Sequence, residues 1–393
     1  MRSLRIETVA SIDEIDATRW DALVDASGGS VLLRHGFLRA FEQSASVCAE
    51  TGWQPRHLIL RAGSPAPEEA HWAEGQLIAA VPLYAKSHSY GEFVFDWAWA
   101  DAYARNGLAY YPKWLCAVPF TPVPGARLLA APDSRSIAAR ALVQFATASK
   151  LSSLHVLYTT ASDQQALLQA GCMARTHVQF HWVNRGWADF DAFLADLTQP
   201  KRKKIRAERR KVREAGVTTR VLTGRELGPD DWAFFYRCYA NTYEQRGNSP
   251  YLTPAFFAEV GVQFPDHCVM AIASRHGQPI AASLLWRDTV EGVDRLYGRY
   301  WGALQNIHCL HFELAYYAPL EWAIANGIAV VEGGAQGEHK LARGFEPVQT
   351  HSAHWLAHPA FADAVGRFLD QERMGIRSYA DGLNSPFRTE VGD

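Results

Sequence analysis

The chain has 393 residues, with 39 lysines and arginines against 41 aspartates and glutamates and a formal net charge of −2. Apolar residues make up 48% of it and charged residues 20%, which excludes a largely disordered chain because a sizeable core can be buried. The charge balance excludes a generally basic nucleic-acid coat protein. The length predicts two or three domains of about 150 residues each.

The sequence predicts neither an export signal nor a membrane-spanning helix. Residues 1–16 lack the continuous apolar run of a secretory signal, and no stretch reaches the roughly 18 apolar residues of a spanning helix. The six cysteines are far apart and contain no C-x-x-C pair, which favours free thiols over a disulfide framework or a zinc site. We therefore expect a cytoplasmic protein without a metal site, and peripheral membrane contact stays open.

Strand and helix patterns alternate along the first half of the chain. Apolar runs and alternations predict strands at 4–9, 56–60, 76–84, 92–99, 154–159 and 178–183. Apolar residues at helical spacing predict helices at 20–26, 31–41, 136–150 and 161–170. This succession predicts a mixed α/β domain over residues 1–185.

One of these predicted strands carries a run of aromatic rings. Residues 93–101 read FVFDWAWAD, so that four aromatic residues share one face of the strand and Asp96 takes the other. Filling of a core accounts for the rings themselves. Polar groups this close to them are typical of a cleft wall that orients a ligand. The substrate-binding candidates are Asp96, Tyr111 and Lys113.

The second half repeats the pattern. Strands are predicted at 268–275, 280–287, 295–301, 328–331 and 351–356, and a helix at 311–326. A hairpin turn at 276–279 joins the first two strands. Together these elements predict a second domain over 186–393, so that the fold class is α/β (α+β) with mixed, mostly antiparallel sheets flanked by helices. The candidates for the floor of a cleft are Tyr297, Arg299 and Glu313.

A basic segment opens this second domain. Residues 201–213 read KRKKIRAERRKVR, with nine cations and a single acid. Ile205 and Val212 are seven apart, which places them on the face of a helix that docks. The remaining surface suits phosphates, with Arg202 and Arg206 as donor-binding candidates, although a solvated face is the simpler interpretation. No base-reading motif is present, so DNA is not an expected partner.

A glycine-rich segment follows the strand at 328–331. Residues 332–347 read EGGAQGEHKLARGFEP and lie at the carboxyl edge of the predicted sheet, where ligands commonly bind. Either His339 or Glu338 is the candidate base for an amine proton, with Glu332 in support. A structural helix turn is the alternative interpretation. The donor-binding candidates of this segment are Lys340 and Arg343.

Several long motifs together resemble the FemAB-like proteins of the GNAT superfamily, in particular a bacterial family labelled peptidoglycan biosynthesis or recognition. These motifs are KRKKIRAERRKVREAG, FFYRCYANTYEQRG, SPYLTPAFF, VEGGAQGEHKLARGFEP, HSYGEFVFDWAWADAY and YYPKWLCAVPFTPVPG. The resemblance extends over residues 30–390. It implies two tandem GNAT-like domains, and transfer of an acyl or aminoacyl group from acyl-CoA or aminoacyl-tRNA to an amine, for example of a cell-wall precursor.

The resemblance also implies that these donors are substrates, with no tightly bound cofactor and with tRNA as a partner in the second case. GNAT domains that use CoA carry a glycine-rich loop after the central strand, whereas residues 299–313 read RYWGALQNIHCLHFE, which disfavours acetyl-CoA. The residues leave two other functions open. One is a non-catalytic GNAT-like module that binds a peptide or peptidoglycan fragment, and the other is RNA binding through residues 201–213.

Overall fold

The computed structural model describes residues 4–63, 75–335 and 337–388. The chain divides into two compact units, and each unit is made of two separate stretches. Unit 1 comprises Met1–His177 and Gln349–Asp381, and unit 2 comprises Val178–Val348 and Gly382–Asp393. The first break lies a few residues before the predicted boundary at 185, and the stretch from Gln349 belongs to unit 1 instead of the second domain.

Fifteen strands occur in the described residues. They are β1 (Leu4–Val9), β2 (Trp53–Pro55), β3 (His57–Ala62), β4 (Leu77–Val81), β5 (Leu83–Lys86), β6 (Lys113–Cys116), β7 (Leu129–Ala130), β8 (Ser153–Thr159), β9 (Met173–Val183), β10 (Val217–Thr223), β11 (Cys268–Arg275), β12 (Gln278–Val290), β13 (Val293–Ala303), β14 (Val330–Glu332) and β15 (Glu346–Leu356).

The helices of the described chain are mostly short. The α-helices are α1 (Ala17–Ala26), α2 (His35–Gln43), α3 (Trp97–Arg105), α4 (Arg135–Ala148), α5 (Ala161–Gln169), α6 (Phe190–Asp196), α7 (Gln199–Glu214), α8 (Pro229–Glu244), α9 (Pro254–Gln263), α10 (Leu310–Phe312), α11 (Ala318–Ala325) and α12 (Pro359–Asp381). A π-helical turn, Glu313–Tyr317, joins α10 to α11 just before Pro319, which has no N–H for an ordinary helical bond. No helix among the described residues is long and apolar enough to cross a membrane.

Unit 1 contains two groups of paired strands. One has the order β1–β3–β4–β7 with antiparallel pairs. The other has the order β2–β5–β6–β8–β15, in which β6 and β8 are parallel and the other pairs antiparallel. A parallel pair needs a crossover, and α4 lies in it. Leu142 and Ala146 of α4 pack in one apolar core with Leu154 and Val156 of β8.

The return of the chain to unit 1 after Gln349 has a clear structural cause. Residues His351–Leu356 of β15 pair antiparallel with β8. The following helix α12 buries Val365 and Leu369 in an apolar cluster with Trp99 and Tyr103 of α3. These contacts explain why residues from Gln349 onwards, which were predicted to belong to the second domain, are part of unit 1.

Unit 2 has one sheet, in the order β10–β11–β12–β13–β14 followed by the last residues of β9. Its first four strands are antiparallel neighbours, and β13 runs parallel to β14. The predicted hairpin is confirmed, with His276 and Gly277 at positive φ in the turn between Arg275 and Gln278. The predicted fold class of mixed, mostly antiparallel sheets with flanking helices is thus confirmed in both units.

The predicted basic helix is confirmed as α7. Its two apolar residues are buried as the spacing predicted, Ile205 at 0% and Val212 at 2% exposure. The one acid of the segment, Glu208, is buried between them. The helix therefore docks on a stripe that includes a carboxylate, while most of its cations stay outside.

The predicted strand at 92–99 is wrong, because α3 begins at Trp97. The aromatic alternation does not define one face: Phe95 and Trp97 are 49% and 40% exposed, whereas Trp99 is buried. Trp99 and Tyr103 are the residues that enter the core, and they are four apart, as neighbours on a helix surface are.

Candidate functional site

A cleft of about 570 Å³ opens in unit 2 where β13 ends. Its walls come from the last turns of α8, from the loop after β13 and from the start of the helix at Leu310. The lining is largely polar, and includes Thr242, Gln245, Arg246, Gln305, Asn306 and His308. Clefts of this size are typical of sites for small molecules.

Close packing of α8 against β13 forms one side of the cleft. Gly302 makes it possible, because a Cβ at this position would lie 1.8 Å from the carbonyl oxygen of Cys238. Two side chains of α8 bond the end of the strand: Thr242 Oγ1 donates to the Trp301 carbonyl at 3.0 Å, and Asn241 Nδ2 donates to the Ala303 carbonyl at 2.6 Å. Gly302, the single glycine of the segment 299–313, lies in β13 and is therefore required for this helix packing.

His339 is exposed and lies beside residues of the cleft wall. Its Nε2 is 3.0 Å from the hydroxyl of Tyr316, whose ring is 5.7 Å from the ring of His311. His311 and Phe312 line the cleft, and the Phe312 ring is 6.0 Å from that of His339. Of the predicted catalytic residues, His339 is the one that contacts join to the cleft.

The surroundings of His339 favour a neutral imidazole. Partial burial lowers its pKa, and the nearby charges of Arg343, Lys340 and Lys204 lower it further. A neutral ring near pH 7 can accept a proton from an amine. Glu338, the other predicted base, is also exposed on the same short helix.

Lys340 is buried in the turn after β14. Its Nζ donates to the carbonyl of Gly334 at 2.9 Å. The side chain lies against Gly333, where a Cβ would be 3.0 Å from the Lys340 Cε. Burial lowers the pKa of Lys340 to about 7, with a smaller contribution from Arg299. This amine therefore exchanges its proton near neutral pH.

Arg343 forms a buried ion pair. Its Nη2 lies 2.9 Å and 3.1 Å from the two carboxylate oxygens of Glu208, and its Nη1 donates to the His339 carbonyl at 2.7 Å. Its guanidinium also lies 3.5 Å from the centre of the Phe312 ring. Arg343 is 1% exposed and holds α7 and the His339 turn together.

Glu332 ends β14 as a buried carboxylate. Its Oε1 lies 3.3 Å from Arg295 Nη1, and its Oε2 has no hydrogen-bond partner among the described residues. His181 Nε2 lies 3.7 Å from that second oxygen. Burial raises the pKa of Glu332 to about 7. No contact between described side chains joins it to His339.

The predicted cleft-floor residues do not meet at one place. Tyr297 is buried in β13 opposite Glu332, and Arg299 is half-buried two residues further along the strand. Glu313 lies in the π-helical turn, where Arg209 of α7 bonds both of its carboxylate oxygens at 3.0–3.2 Å. Both residues of this ion pair line a separate cavity of about 240 Å³.

One lysine of the basic helix contacts a residue of the cleft wall, and a second acts on His339 through its charge. Lys211 Nζ lies 3.5 Å from Nε2 of His308, a lining residue, and the charge of Lys204 lowers the pKa of His339. Arg202 instead donates to the carbonyl of Ala195 at 3.0 Å, and Arg206 is exposed, 3.6 Å from an Asp191 oxygen.

Unit 1 contains a buried polar cluster around Lys113. Its Nζ donates to Ser89 Oγ at 2.8 Å, to Glu92 Oε2 at 2.9 Å, and also to Asp96. The Tyr111 hydroxyl is 2.8 Å from Ser89 Oγ. The structure thus brings the predicted Asp96, Tyr111 and Lys113 together, but Lys113 and Asp96 are 0% and 3% exposed.

Charges within this cluster offset one another. Burial opposes the charge of Lys113, but Glu92 and Asp96 outweigh it and raise the pKa of the amine. Burial likewise opposes ionisation of Asp96, but Lys113 lowers its pKa well below the usual range. Burial raises the pKa of Glu92 to about 7. Among the described residues, neither unit has three His, Cys, Asp or Glu side chains arranged to hold a metal ion.

Family comparison identifies the chain. The model of the FemAB-like family, described as peptidoglycan biosynthesis/recognition, matches residues 11–389. The chain belongs to the FemAB-like family. The predicted resemblance is therefore confirmed. No curated protein matches the sequence significantly.

Three solved structures are similar to this FemAB-like protein at low sequence identity. The C-terminal DUF2156 domain of a putative lysylphosphatidylglycerol synthetase from Agrobacterium fabrum is 10% identical, with a TM-score of 0.50 over 92% of this chain and 97% of that one. A tandem GNAT protein from the clavulanic acid biosynthesis pathway is 14% identical (TM-score 0.46; 91% and 99% covered). L-PGS from Bacillus licheniformis is 10% identical (TM-score 0.48; 90% and 97% covered).

Sequence reasoning missed four residues near the cleft of the FemAB-like protein. They are Lys204, Lys211, His311 and Tyr316. A signal for the lysines existed, because residues seven apart share a helix face, and these two flank the buried stripe of α7. No local pattern marks Tyr316, whose partner His339 is brought to it by the turn after β14.

Proposed function

We propose that this FemAB-like protein is an N-acyltransferase or aminoacyltransferase whose chemistry takes place in unit 2. The observation that carries the proposal is the contact chain from the cleft wall to His339, through His311 and Tyr316. It supplies a neutral base beside a cleft whose rim is cationic.

The reaction needs a neutral amine and a base. The amine nitrogen attacks the carbonyl carbon of an activated ester or thioester, and the C–N bond forms as the C–O or C–S bond breaks. A ring nitrogen of His339 takes the proton that the amine loses and passes it to the leaving group. A base whose pKa lies below neutrality is free to act at pH 7.

The donor we propose is anionic, either acyl-CoA or aminoacyl-tRNA. Lys211 places a positive charge at the rim, the charge of Lys204 acts on Cys309 of the cleft wall, and both donors carry phosphates. The loop 299–313 has no glycine series to hold a pyrophosphate on backbone amides, and Gly302 is needed for packing on Cys238. A donor held by the cations of α7 is therefore favoured over one held by the loop.

The acceptor we propose is an amine of a peptidoglycan precursor peptide. The family description, peptidoglycan biosynthesis/recognition, supports this class of acceptor. Both donors and such precursors occur in the cytoplasm, the compartment that the sequence predicts.

Turnover by base variants tests the proposal. The full chain would be assayed with acetyl-CoA, long-chain acyl-CoA or charged tRNA as donor and a muropeptide as acceptor. We expect His339→Gln to lower kcat by about 10²–10⁴-fold, because a general base contributes that much. Glu338→Gln, in the same short helix, and His276→Gln, in the hairpin turn of β11 and β12, serve as matched controls with unchanged turnover.

The alternative bases give distinct outcomes. If Glu332→Gln abolishes turnover while His339→Gln leaves it intact, Glu332 is the base. Full turnover in His339→Gln, Glu338→Gln and Glu332→Gln would contradict the proposal that one of these residues is the base.

A non-catalytic binding module is the second candidate, favoured by the loop that lacks the glycine series and by the structural use of Gly302. It would show as thermal stabilisation by a muropeptide alone, with no turnover and no effect of any donor on Tm.

A further inference from the structure

Three large aromatic side chains face solvent in one short segment of unit 1. Tyr90, Phe95 and Trp97 are 57%, 49% and 40% exposed. The rings of Tyr90 and Trp97 have their centres 5.0 Å apart at an angle of 60°. Single exposed apolar residues need no explanation, but neighbouring ones form a patch that commonly marks a binding surface. We call these three residues the aromatic surface.

Buried side chains hold this segment from below. Lys113 bonds three side chains of the segment, those of Ser89, Glu92 and Asp96. An ion pair of this kind contributes little net stability compared with apolar packing, so that its use here points to a requirement for a fixed conformation.

The backbone of the segment is also bonded to neighbouring elements. Lys86 Nζ donates to the Tyr90 carbonyl at 3.3 Å, and the Tyr158 hydroxyl donates to the Phe93 carbonyl at 3.0 Å. Arg175 Nη1 donates to the Phe95 carbonyl at 2.9 Å. The three bonds come from strands β5, β8 and β9, so that the segment has support along its length.

The backbone of the segment is strained at Phe93. Its φ is +63°, a left-handed conformation that is rare for a bulky side chain and costs roughly 1–2 kcal/mol. Such strain persists where the surroundings over-determine it, commonly at ligand sites. A rigid segment that displays exposed rings loses little conformational entropy when a ligand binds.

The shape and borders of the surface indicate its ligand. Exposed aromatic rings suit a ligand with flat C–H faces, and the polar edge of such a ligand needs partners beside the rings. Asp101 and Arg105 lie one and two turns after Trp97 on α3. Arg105 Nη2 is 2.8 Å from Asp101 Oδ2, and about two-thirds of each side chain is exposed. A pyranose ring has both features, with C–H groups on its faces and hydroxyl groups at its edge.

We infer that the aromatic surface binds the sugar rings of an N-acetylated glycan. The family description points to peptidoglycan, whose glycan strand consists of N-acetylated amino sugars, and acetyl methyl groups add apolar contact with the rings. This site lies in unit 1, involves none of the residues of the cleft, and requires no turnover.

Titration with a defined oligosaccharide tests the inference. The probe is chitotriose, a linear trimer of N-acetylglucosamine, added to the full chain and followed by calorimetry. We expect Trp97→Ala and Tyr90→Ala each to weaken Kd about tenfold, as for aromatic hot-spot residues. Trp97→Phe restores part of the affinity. Tyr379→Ala, a tyrosine of unit 1 with 42% exposure, is the matched control and leaves Kd unchanged.

Three results would overturn the inference. One is a wild-type chain that does not bind chitotriose at millimolar concentration. Another is binding that Trp97→Ala and Tyr90→Ala leave unchanged, with circular dichroism showing that both variants are folded. The third is Trp97-dependent binding of phosphatidylglycerol vesicles without any binding of chitotriose, which would assign the surface to a membrane. His339→Gln binds chitotriose normally, so that failure of the transferase proposal is a separate result.

Discussion

Each unit has a buried lysine beside its parallel strand pair, and the two lysines have opposite surroundings. In unit 1, Lys113 begins β6 and bonds two carboxylates, which raise the pKa of its amine. In unit 2, Lys340 follows β14 and bonds a backbone carbonyl, and burial lowers its pKa to about 7. The lysine amine of unit 1 is therefore held in its charged form, whereas the pKa of the lysine amine of unit 2 lies near neutral pH.

We infer from this difference in surroundings that the two buried lysines have different roles. The Lys113 cluster is locked by its ion pairs and acts by holding the segment above it. In unit 2, Lys340, Glu332 and His339 all have pKa values shifted towards or below neutrality by burial. Groups with such shifts concentrate at sites of proton transfer. Burial also shifts the pKa values of Glu92 and Lys86 in unit 1 to about 7. The cleft beside His339 is therefore the feature that favours unit 2 as the place of chemistry, and four experiments test this.

The largest effect is expected from Lys113→Met. Removing the amine leaves Glu92 and Asp96 buried without their shared cation, which destabilises the protein by about 3–5 kcal/mol at pH 7. Urea unfolding of the full chain measures it. Lys203→Met, at an exposed position of α7, is the matched control and changes stability little. If Lys113→Met lowers the free energy of unfolding as little as the control does, the cluster does not stabilise unit 1.

Glu332→Gln should change how stability depends on pH. The pKa of Glu332 is raised to about 7, above its unfolded value, so that its stabilising effect is complete below about pH 4 and is lost as pH rises to 7. At about 1.4 kcal/mol per pKa unit the loss is about 3 kcal/mol. The variant lacks this loss, and is more stable than wild type at pH 8.

The control for this measurement is Glu338→Gln, which neutralises an exposed glutamate six residues away and should keep the wild-type slope. Other groups with raised pKa values, such as Glu92, contribute equally to all three proteins and cancel in the comparison. Superimposable stability profiles of Glu332→Gln and wild type would contradict the near-neutral state of this carboxylate.

Gly302→Ala should open the packing that forms the cleft. The new Cβ meets the Cys238 carbonyl, so that α8 must move, at a cost of about 1–3 kcal/mol in the free energy of unfolding. Gly375→Ala in α12, where no atom lies within 4 Å of the new Cβ, is the matched control and is neutral or slightly stabilising. Equal stability of the two variants would mean that α8 adapts without strain.

The smallest effect is expected from the rim cations. Lys204→Gln and Lys211→Gln should each weaken donor binding roughly threefold, because exposed charges contribute under about 1 kcal/mol. Each should also reduce the salt dependence of binding by about one unit of slope for a polyanionic donor. Lys203→Gln serves as control. Three equal effects would indicate general charge attraction along α7 and no particular role of the cleft rim.

The fold was predictable where the pattern is local. Ile205 and Val212 predicted the docking face of α7, and the turn at 276–279 predicted the hairpin. The alternating aromatic residues at 93–99 predicted a strand, and this prediction was wrong because the segment is a loop that continues into the helix α3. The boundary of unit 1 was not predictable locally, since it depends on β15 pairing with β8, in which His354 lies opposite His155.

The site was predictable in composition but not in burial. Asp96, Tyr111 and Lys113 are indeed gathered around Ser89, yet nothing in their spacing shows that they lie beneath a surface. Arg343 has its partner Glu208 at 135 residues' separation, beyond the reach of any local pattern. The catalytic role of His339 stays a prediction, which the variants above test.

The two-stretch construction of unit 1 has a consequence for synthesis on the ribosome. The part of β15 that pairs with β8 and the whole of α12 emerge only after Val178–Val348 has been made. Until then one edge of β8 is unpaired, and Trp99 and Tyr103 lack the cover of α12. The bulk of unit 2 therefore has its chain available for folding before unit 1 can close, which reverses the N-terminal-first order usual for multidomain proteins.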